Sequence, residues 1–176
     1  METAELITRW TVRVALLLYF LGAAARFLPY RAGKNRLRST ARALWMLGGI
    51  LYVAHVAAAF HAYHNWSHQE AFDHVAAETE RMFGWRFGGG IYFNYVFGAL
   101  WLIDIAHWSG RGKRSILAKW LTRTIHFFLL FIVFNGLAVF KDDGLRWFGW
   151  IGTVGVLATW ALSQRVSSSR KRQEQS

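Results

Sequence analysis

The feature that most constrains this chain is a run from Leu44 to His64 that contains no lysine, arginine, aspartate or glutamate. About 20 such residues form a helix long enough to cross the ~30 Å hydrocarbon core of a bilayer. A soluble helix would instead place charged residues on its water-facing side. Because 54% of the 176 residues are hydrophobic and only 18% are charged, we infer an all-α fold, a polytopic transmembrane helical bundle.

Apolar segments predict five spans, with four as the alternative because the first span is marginal. The predicted spans cover residues 6–28, 44–64, 91–108, 124–140 and 147–162. In the first span only Val14 to Ala25 lies between Arg13 and Arg26, so both arginines must reach opposite interfaces. Residues 1–164 then form one transmembrane domain, and the basic residues 165–176 form a disordered cytoplasmic tail.

Charge assigns the loops to two sides of the membrane. Three segments, 26–42, 111–123 and 165–172, contain most of the 21 lysines and arginines and no acid. The positive-inside rule puts these segments in the cytoplasm, with the N-terminus outside and the C-terminus inside, in the cell (inner) membrane. The same rule accounts for the net charge of +11, so the expected partners are the lipid bilayer and a membrane protein, and not a nucleic acid.

One outer loop carries a helix of its own. Ser67 and Glu70 form a capping-box pattern, in which Ser67 caps the helix and Glu70 reaches back to the Ser67 backbone. Apolar residues then recur at helical spacing up to Gly84, a residue typical of helix ends. The pattern predicts an amphipathic helix over 68–83 on the outer membrane surface.

Stripes of small residues predict where helices touch. Ala54, Ala58 and Ala62 recur at every fourth position, and Gly149, Gly152 and Gly155 at every third. Small side chains let helix backbones approach closely in lipid, so both stripes are expected to face protein, within the bundle or in a dimer.

Histidines supply the first candidate for chemistry. Five of the seven lie between His55 and His74, and an unbroken helix would put His61, His64 and His68 on one face. Imidazole and carboxylate groups bind transition metals. The candidate ligands are His61, His64, His68, His74 and Glu78. The alternative is an unligated polar rim, which a helix break at Asn65–Trp66 would favour.

Polar residues inside the spans supply the second candidate. They are His55, Asn135, Asp104, His126 and His107. At ~1.5 Å of rise per residue, His55 and Asn135 lie near the midplane, and the other three lie nearer the cytoplasm. A carboxylate beside an imidazole can relay protons or can fix the register of two helices. Haem b needs two histidines at one depth on facing helices. His55 has no such partner, whereas His107 and His126 could meet near the cytoplasmic edge, where a simple polar contact with Asp104 is the preferred alternative.

Three classes of function follow from these candidates. The preferred one is a structural or accessory membrane subunit, because every unusual residue then has a structural explanation. The second is a metal- or haem-binding redox component or enzyme that uses the outer histidines. The third is a proton or ion conduit along His55, Asn135, Asp104 and His126. The absence of cysteine excludes disulfides and thiolate chemistry, and no phosphate loop or nucleophile elbow is present.

Overall fold

The computed structural model describes residues 2–28, 35–109, 116–139 and 144–173, and the regular structure within these ranges is helical. The elements in chain order are α1 (Glu2–Phe27), α2 (Asn35–Tyr63), α3 (His68–Phe83), α4 (Gly90–Ser109), α5 (Ile116–Phe134), a π-helix (Asn135–Val139) and α6 (Gly144–Gln173). The predicted all-α fold is confirmed.

Three helices are long and apolar enough to cross a membrane. They are Thr3–Phe27 in α1, Arg36–Tyr63 in α2, and Trp120–Ala138, which joins α5 to the π-helix. In the most apolar 18-residue stretch of α2, only 17% of the residues are buried inside the protein. A helix that is apolar on its outer surface is stable in lipid and not in water, which supports a membrane location.

The outer helix α3 has the predicted bounds and both predicted caps. Ser67 Oγ accepts a hydrogen bond from the backbone N–H of Glu70 at 3.2 Å. At the other end Gly84 adopts a φ of 76°, and its N–H donates to the carbonyl of Glu80 at 2.8 Å. Glycine suits this left-handed position because it has no Cβ.

The corner before α3 differs from the predicted capping box in one bond. Asn65 and Trp66 have φ values of 44° and 60°, which fold the chain back onto the end of α2. The Ser67 N–H therefore donates to the carbonyl of His64 at 2.6 Å. Because this N–H is already used, the Glu70 carboxylate accepts from the Asn65 side-chain amide instead, at 3.3 Å.

Several helices extend beyond their predicted spans, and α2 and α6 do so furthest. α2 begins at Asn35 and not at residue 44, and α6 continues to Gln173 through the segment predicted as a disordered tail. No glycine or proline follows Gly155, and arginine, lysine and glutamine are good helix formers. Basic residues also interact favourably with the C-terminal end of a helix dipole, which favours continuation.

The core is aromatic and lies where α1, α2 and α4 meet. Tyr19, Trp45 and Trp101 are almost fully buried, and their ring centroids lie 5.2–5.4 Å apart. α1 approaches α2 closely at Gly22, where a Cβ would lie 3.1 Å from the backbone nitrogen of Trp45. These contacts tie α1 to α2 as the most extensive helix pair in the fold.

The small-residue stripes are only partly used for packing. Gly149 packs against Leu137, and Gly152 packs against the ring of Phe20, each too closely for a Cβ. Gly155 has open space beside it. The first and last alanines of the other stripe, Ala54 and Ala62, are exposed. The predicted protein contact is confirmed for the first two glycines and is not made by these other residues within the bundle.

Candidate functional site

A buried ion pair joins α1 to α4. Arg26 Nη1 lies 2.9 Å from Asp104 Oδ2, and Arg26 Nη2 lies 3.4 Å from Asp104 Oδ1. The two side chains are 9% and 2% exposed. The guanidinium also lies over the ring of Trp108, 4.3 Å from its centroid. The arrangement combines a bidentate charged contact with a cation–π contact, which together hold both side chains in one geometry.

His126 of α5 completes this inner charge cluster. Its Nε2 lies 3.5 Å from Asp104 Oδ2, an electrostatic contact longer than an ordinary hydrogen bond. The imidazole packs between Trp45 and Phe27, with ring centroids at 5.0 and 5.8 Å. Three helices therefore converge on one carboxylate.

Sequence reasoning found two of the three members of this cluster and missed the third. Asp104 and His126 are together, as predicted, but Arg26 was assigned to the interface, and His107 is exposed. The signal was present, because Arg26 lies near the inner end of the first span and Asp104 near the inner end of the third. The same depth arithmetic applied to basic residues would have paired them.

An aromatic layer lies outward of the inner charge cluster. Tyr52 contacts Phe97 and Trp101, with ring centroids at 4.9 and 5.8 Å, and Trp101 in turn contacts Trp45. The Tyr52 hydroxyl donates to the backbone carbonyl of Asn94 at 3.0 Å. Indole rings have an N–H donor and no acceptor, so this layer does not offer an obvious relay for protons.

The two predicted midplane residues each bond a backbone carbonyl. His55 Nδ1 lies 3.0 Å from the carbonyl of Thr8, and Asn135 Nδ2 donates to the carbonyl of Phe131 at 2.8 Å. A carbonyl only accepts, so Nδ1 of His55 carries the proton. His55 thereby links α2 to α1, and Asn135 stabilises the start of the π-helix. The structure does not join these two residues to each other.

The turn at Asn65 and Trp66 separates the outer histidines from one another. His64 meets His74 of α3 with ring centroids 5.4 Å apart, so the end of α2 is in contact with α3. His68 instead lies between two tyrosines of α4, 2.9 Å from the hydroxyl of Tyr95 and 3.4 Å from that of Tyr92. His61 is exposed.

The predicted metal site is not supported by this arrangement. Glu78 pairs with Arg81 at 2.8 Å, and the described part of the chain contains no group of three or more His, Cys, Asp or Glu side chains placed to hold a metal ion. The physical reason is the positive φ of Asn65 and Trp66, which breaks the face that His61, His64 and His68 would share.

The position of His64 changes its acidity. Burial lowers its pKa, the nearby His74 lowers it further, and the negative charge of Glu70 opposes both effects. The neutral form of His64 is therefore favoured at neutral pH, and the ring packs against Phe60 with centroids 5.6 Å apart.

A cavity of about 620 Å³, here called the outer cavity, opens in the half of the bundle that contains α3, which the charge distribution predicts to be the outer half. Its polar lining includes Arg9 and Arg13 of α1, His55 of α2, His74 of α3 and Asn94 of α4. The remaining lining is mostly aliphatic and aromatic. No sequence motif predicted this cavity, because helices distant in the chain contribute to it.

Among the described residues, the inner charge cluster and the outer cavity each bring several ionisable side chains against the apolar interior. Comparisons with known protein families, with curated proteins and with solved structures find no match to this chain.

Proposed function

We propose that this chain is a small multi-pass protein of the cell membrane that acts as a structural or accessory subunit beside a membrane protein partner. The observation that carries the proposal is the Arg26–Asp104 pair, with side chains 9% and 2% exposed. The ion pair and His126 have a clear structural use, since they hold α1, α4 and α5 in register. Removing one partner of such a buried pair typically costs ~3–5 kcal/mol.

The topology belongs to the same proposal. We place α4 and α6 across the membrane beside the three strongly apolar helices, which makes five spans with the N-terminus outside and the C-terminus in the cytoplasm. Both helices are long enough, with 20 and 30 residues. In α4 the one lysine, arginine, aspartate or glutamate is Asp104, and residues 147–162 of α6 contain none of these four residue types. The pairing of Asp104 with Arg26 removes the main obstacle to inserting α4.

The conduit alternative has less support from the geometry. A proton path from His55 to Asp104 would have to pass the aromatic layer of Tyr52, Phe97 and Trp101. His55 and Asn135 are engaged by backbone carbonyls, and the Asp104 carboxylate is engaged by a guanidinium. A relay needs groups that can exchange protons with neighbours, and these contacts favour fixed partners.

The redox alternative loses its main premise because the outer histidines diverge. His64 and His74 remain as one pair, while His68 is held by tyrosines of α4. Haem b would need a second histidine near the depth of His55, and the paired outer histidines lie at the membrane surface instead.

The test is a search for a partner under native conditions. A tagged copy at native expression level is crosslinked in intact cells, purified in mild detergent and analysed by mass spectrometry. We expect a membrane protein in stoichiometric amount, enriched over an unrelated multi-pass control. Recovery of the chain alone, together with proton flux in proteoliposomes that Asp104→Asn abolishes, would overturn the proposal in favour of the conduit.

A further inference from the structure

We infer that the outer cavity binds an anionic amphiphile, a lipid whose phosphate or carboxylate headgroup lies against Arg9 and Arg13. The cavity of about 620 Å³ falls within the range of small-molecule sites, ~300–1,000 Å³. It extends from α3 at the outer surface to Tyr52 and Phe97 at the aromatic layer. This inference does not depend on the presence of a partner subunit.

The first argument is the charge on Arg13. This residue lies inside the apolar stretch Thr3–Phe27, seven positions beyond Leu6, which corresponds to ~10 Å of helix rise. Among the described residues no carboxylate pairs with it, and its contact is the ring of Trp10, 5.5 Å from the guanidinium carbon. An arginine at such depth faces a cavity or a counterion in membrane proteins.

The second argument is the composition of the cavity wall. The described lining residues include Arg9, Arg13 and three histidines, and they include no aspartate or glutamate. Arg9 pairs with Glu5 at the rim, where its side chain is 63% exposed. The neighbouring Arg13, one helical turn deeper, pairs with no acid among the described residues. Within the described part of the chain the cavity therefore presents positive charge that no lining carboxylate neutralises, which favours an anionic occupant.

The third argument is the apolar surface below the arginines. Val12, Leu16, Val56 and Ile132 line the cavity from three helices. An inorganic anion would leave this surface in contact with water, whereas an acyl chain would cover it. A basic site at the level of the headgroups beside an apolar cleft matches a phospholipid or a fatty acid. Arginine binds either headgroup through two parallel hydrogen bonds.

Native mass spectrometry of the full chain in mild detergent tests this inference. The probes are dioleoylphosphatidylglycerol, palmitate, dioleoylphosphatidylcholine and inorganic phosphate. We expect the two anionic amphiphiles to be retained and the zwitterionic lipid to be retained about tenfold less, because its choline group carries a positive charge that opposes the arginines. Retention of phosphatidylcholine at the same level, or displacement of palmitate by inorganic phosphate alone, would overturn the inference.

Matched variants locate the site. Arg13→Gln should lower retention of the anionic lipid about tenfold, and Arg13→Lys should restore part of it, since lysine keeps the charge but not the bidentate geometry. Arg86→Gln is the control, because Arg86 carries the same charge on the same side, pairs with Glu80 and Asp73, and does not line the cavity. Equal retention by the variants at positions 13 and 86 would place the lipid elsewhere.

A second variant covers the case in which Arg13→Gln fails to fold. Ala59 lines the cavity, and Ala59→Phe adds a ring there without changing any charge. We expect this variant to lose the bound lipid while keeping the helical content and unfolding temperature of the parent. A folded Ala59→Phe protein that retains the anionic lipid at the parent level would contradict the proposed location.

Discussion

Two arginines of the same helix, Arg13 and Arg26, meet the apolar interior in opposite ways. Arg26 lies at the inner end of α1, 9% exposed, and the chain supplies its counterion through Asp104 of α4. Arg13 lies in the outer half, borders a cavity and contacts the ring of Trp10. The same residue type therefore joins two helices at one end of α1 and, nearer the other end, borders the cavity for which we propose a lipid.

The largest effect is expected when the inner pair is broken. Asp104→Asn should lower the free energy of unfolding in mild detergent by ~3–5 kcal/mol, because Arg26 would remain buried without its counterion. Chemical unfolding followed by circular dichroism measures the change. The double variant Arg26→Met with Asp104→Leu is the matched control and should recover most of the loss, since it removes both charges. An unaltered unfolding curve for Asp104→Asn would show that the pair does not hold α1 to α4.

A smaller and opposite effect is expected at the outer arginine. Arg13→Gln should leave the unfolding temperature of delipidated protein unchanged or raise it, because it removes a charge that no described carboxylate neutralises. Added phosphatidylglycerol should stabilise the parent and not the variant; at a hundred times the dissociation constant the linkage amounts to ~2.7 kcal/mol. Equal stabilisation of both proteins in a thermal-shift titration would remove the contrast between the two arginines.

The cap of α3 tests how firmly the surface helix is anchored beside the cavity. Ser67→Ala should cost ~1 kcal/mol, because the N–H of Glu70 loses its acceptor. Hydrogen exchange in the first turn of α3 should accelerate, while exchange in α1 should not change. Ser168→Ala is a matched control, since its hydroxyl bonds carbonyls in the basic end of α6. Protection of α3 at the parent level would mean that packing alone holds the helix.

The smallest effect is a pH dependence at the corner. The pKa of His64 is lowered in the folded state, so the unfolded chain binds more protons between that pKa and the ordinary value near 6.5. The stability from neutral His64 is therefore fully present above pH ~6.5 and is lost as the pH falls through the folded pKa. His64→Asn should flatten the unfolding temperature between pH 8 and pH 5 relative to the parent. His61→Asn, on the exposed last turn of α2, is the control and should keep the parental slope.

The sequence predicted some local features of this chain and not others. The bounds of α3 were predicted because Ser67 and Gly84 act through contacts within a few residues. A histidine beside Asp104, either His126 or His107, was predicted because each of these residues stands out in an apolar run and depth follows from counting residues. The role of Arg26 was not predicted, because a basic residue near the end of a span is equally compatible with a position at the membrane interface. The divergence of the outer histidines depended on the φ values of Asn65 and Trp66, which spacing alone does not reveal.

Hydrophobicity and charge by themselves determined the all-helical membrane class, since long uncharged runs are stable only in lipid and only with satisfied backbone hydrogen bonds. The tertiary structure decided which charges have partners. Asp104 lies 78 positions from Arg26 in the chain, and the wall of the outer cavity is assembled from α1 to α6. Such contacts depend on the rotation and tilt of each helix against its neighbours, which aromatic packing at Tyr19, Trp45 and Trp101 sets. No periodicity within one helix contains that information.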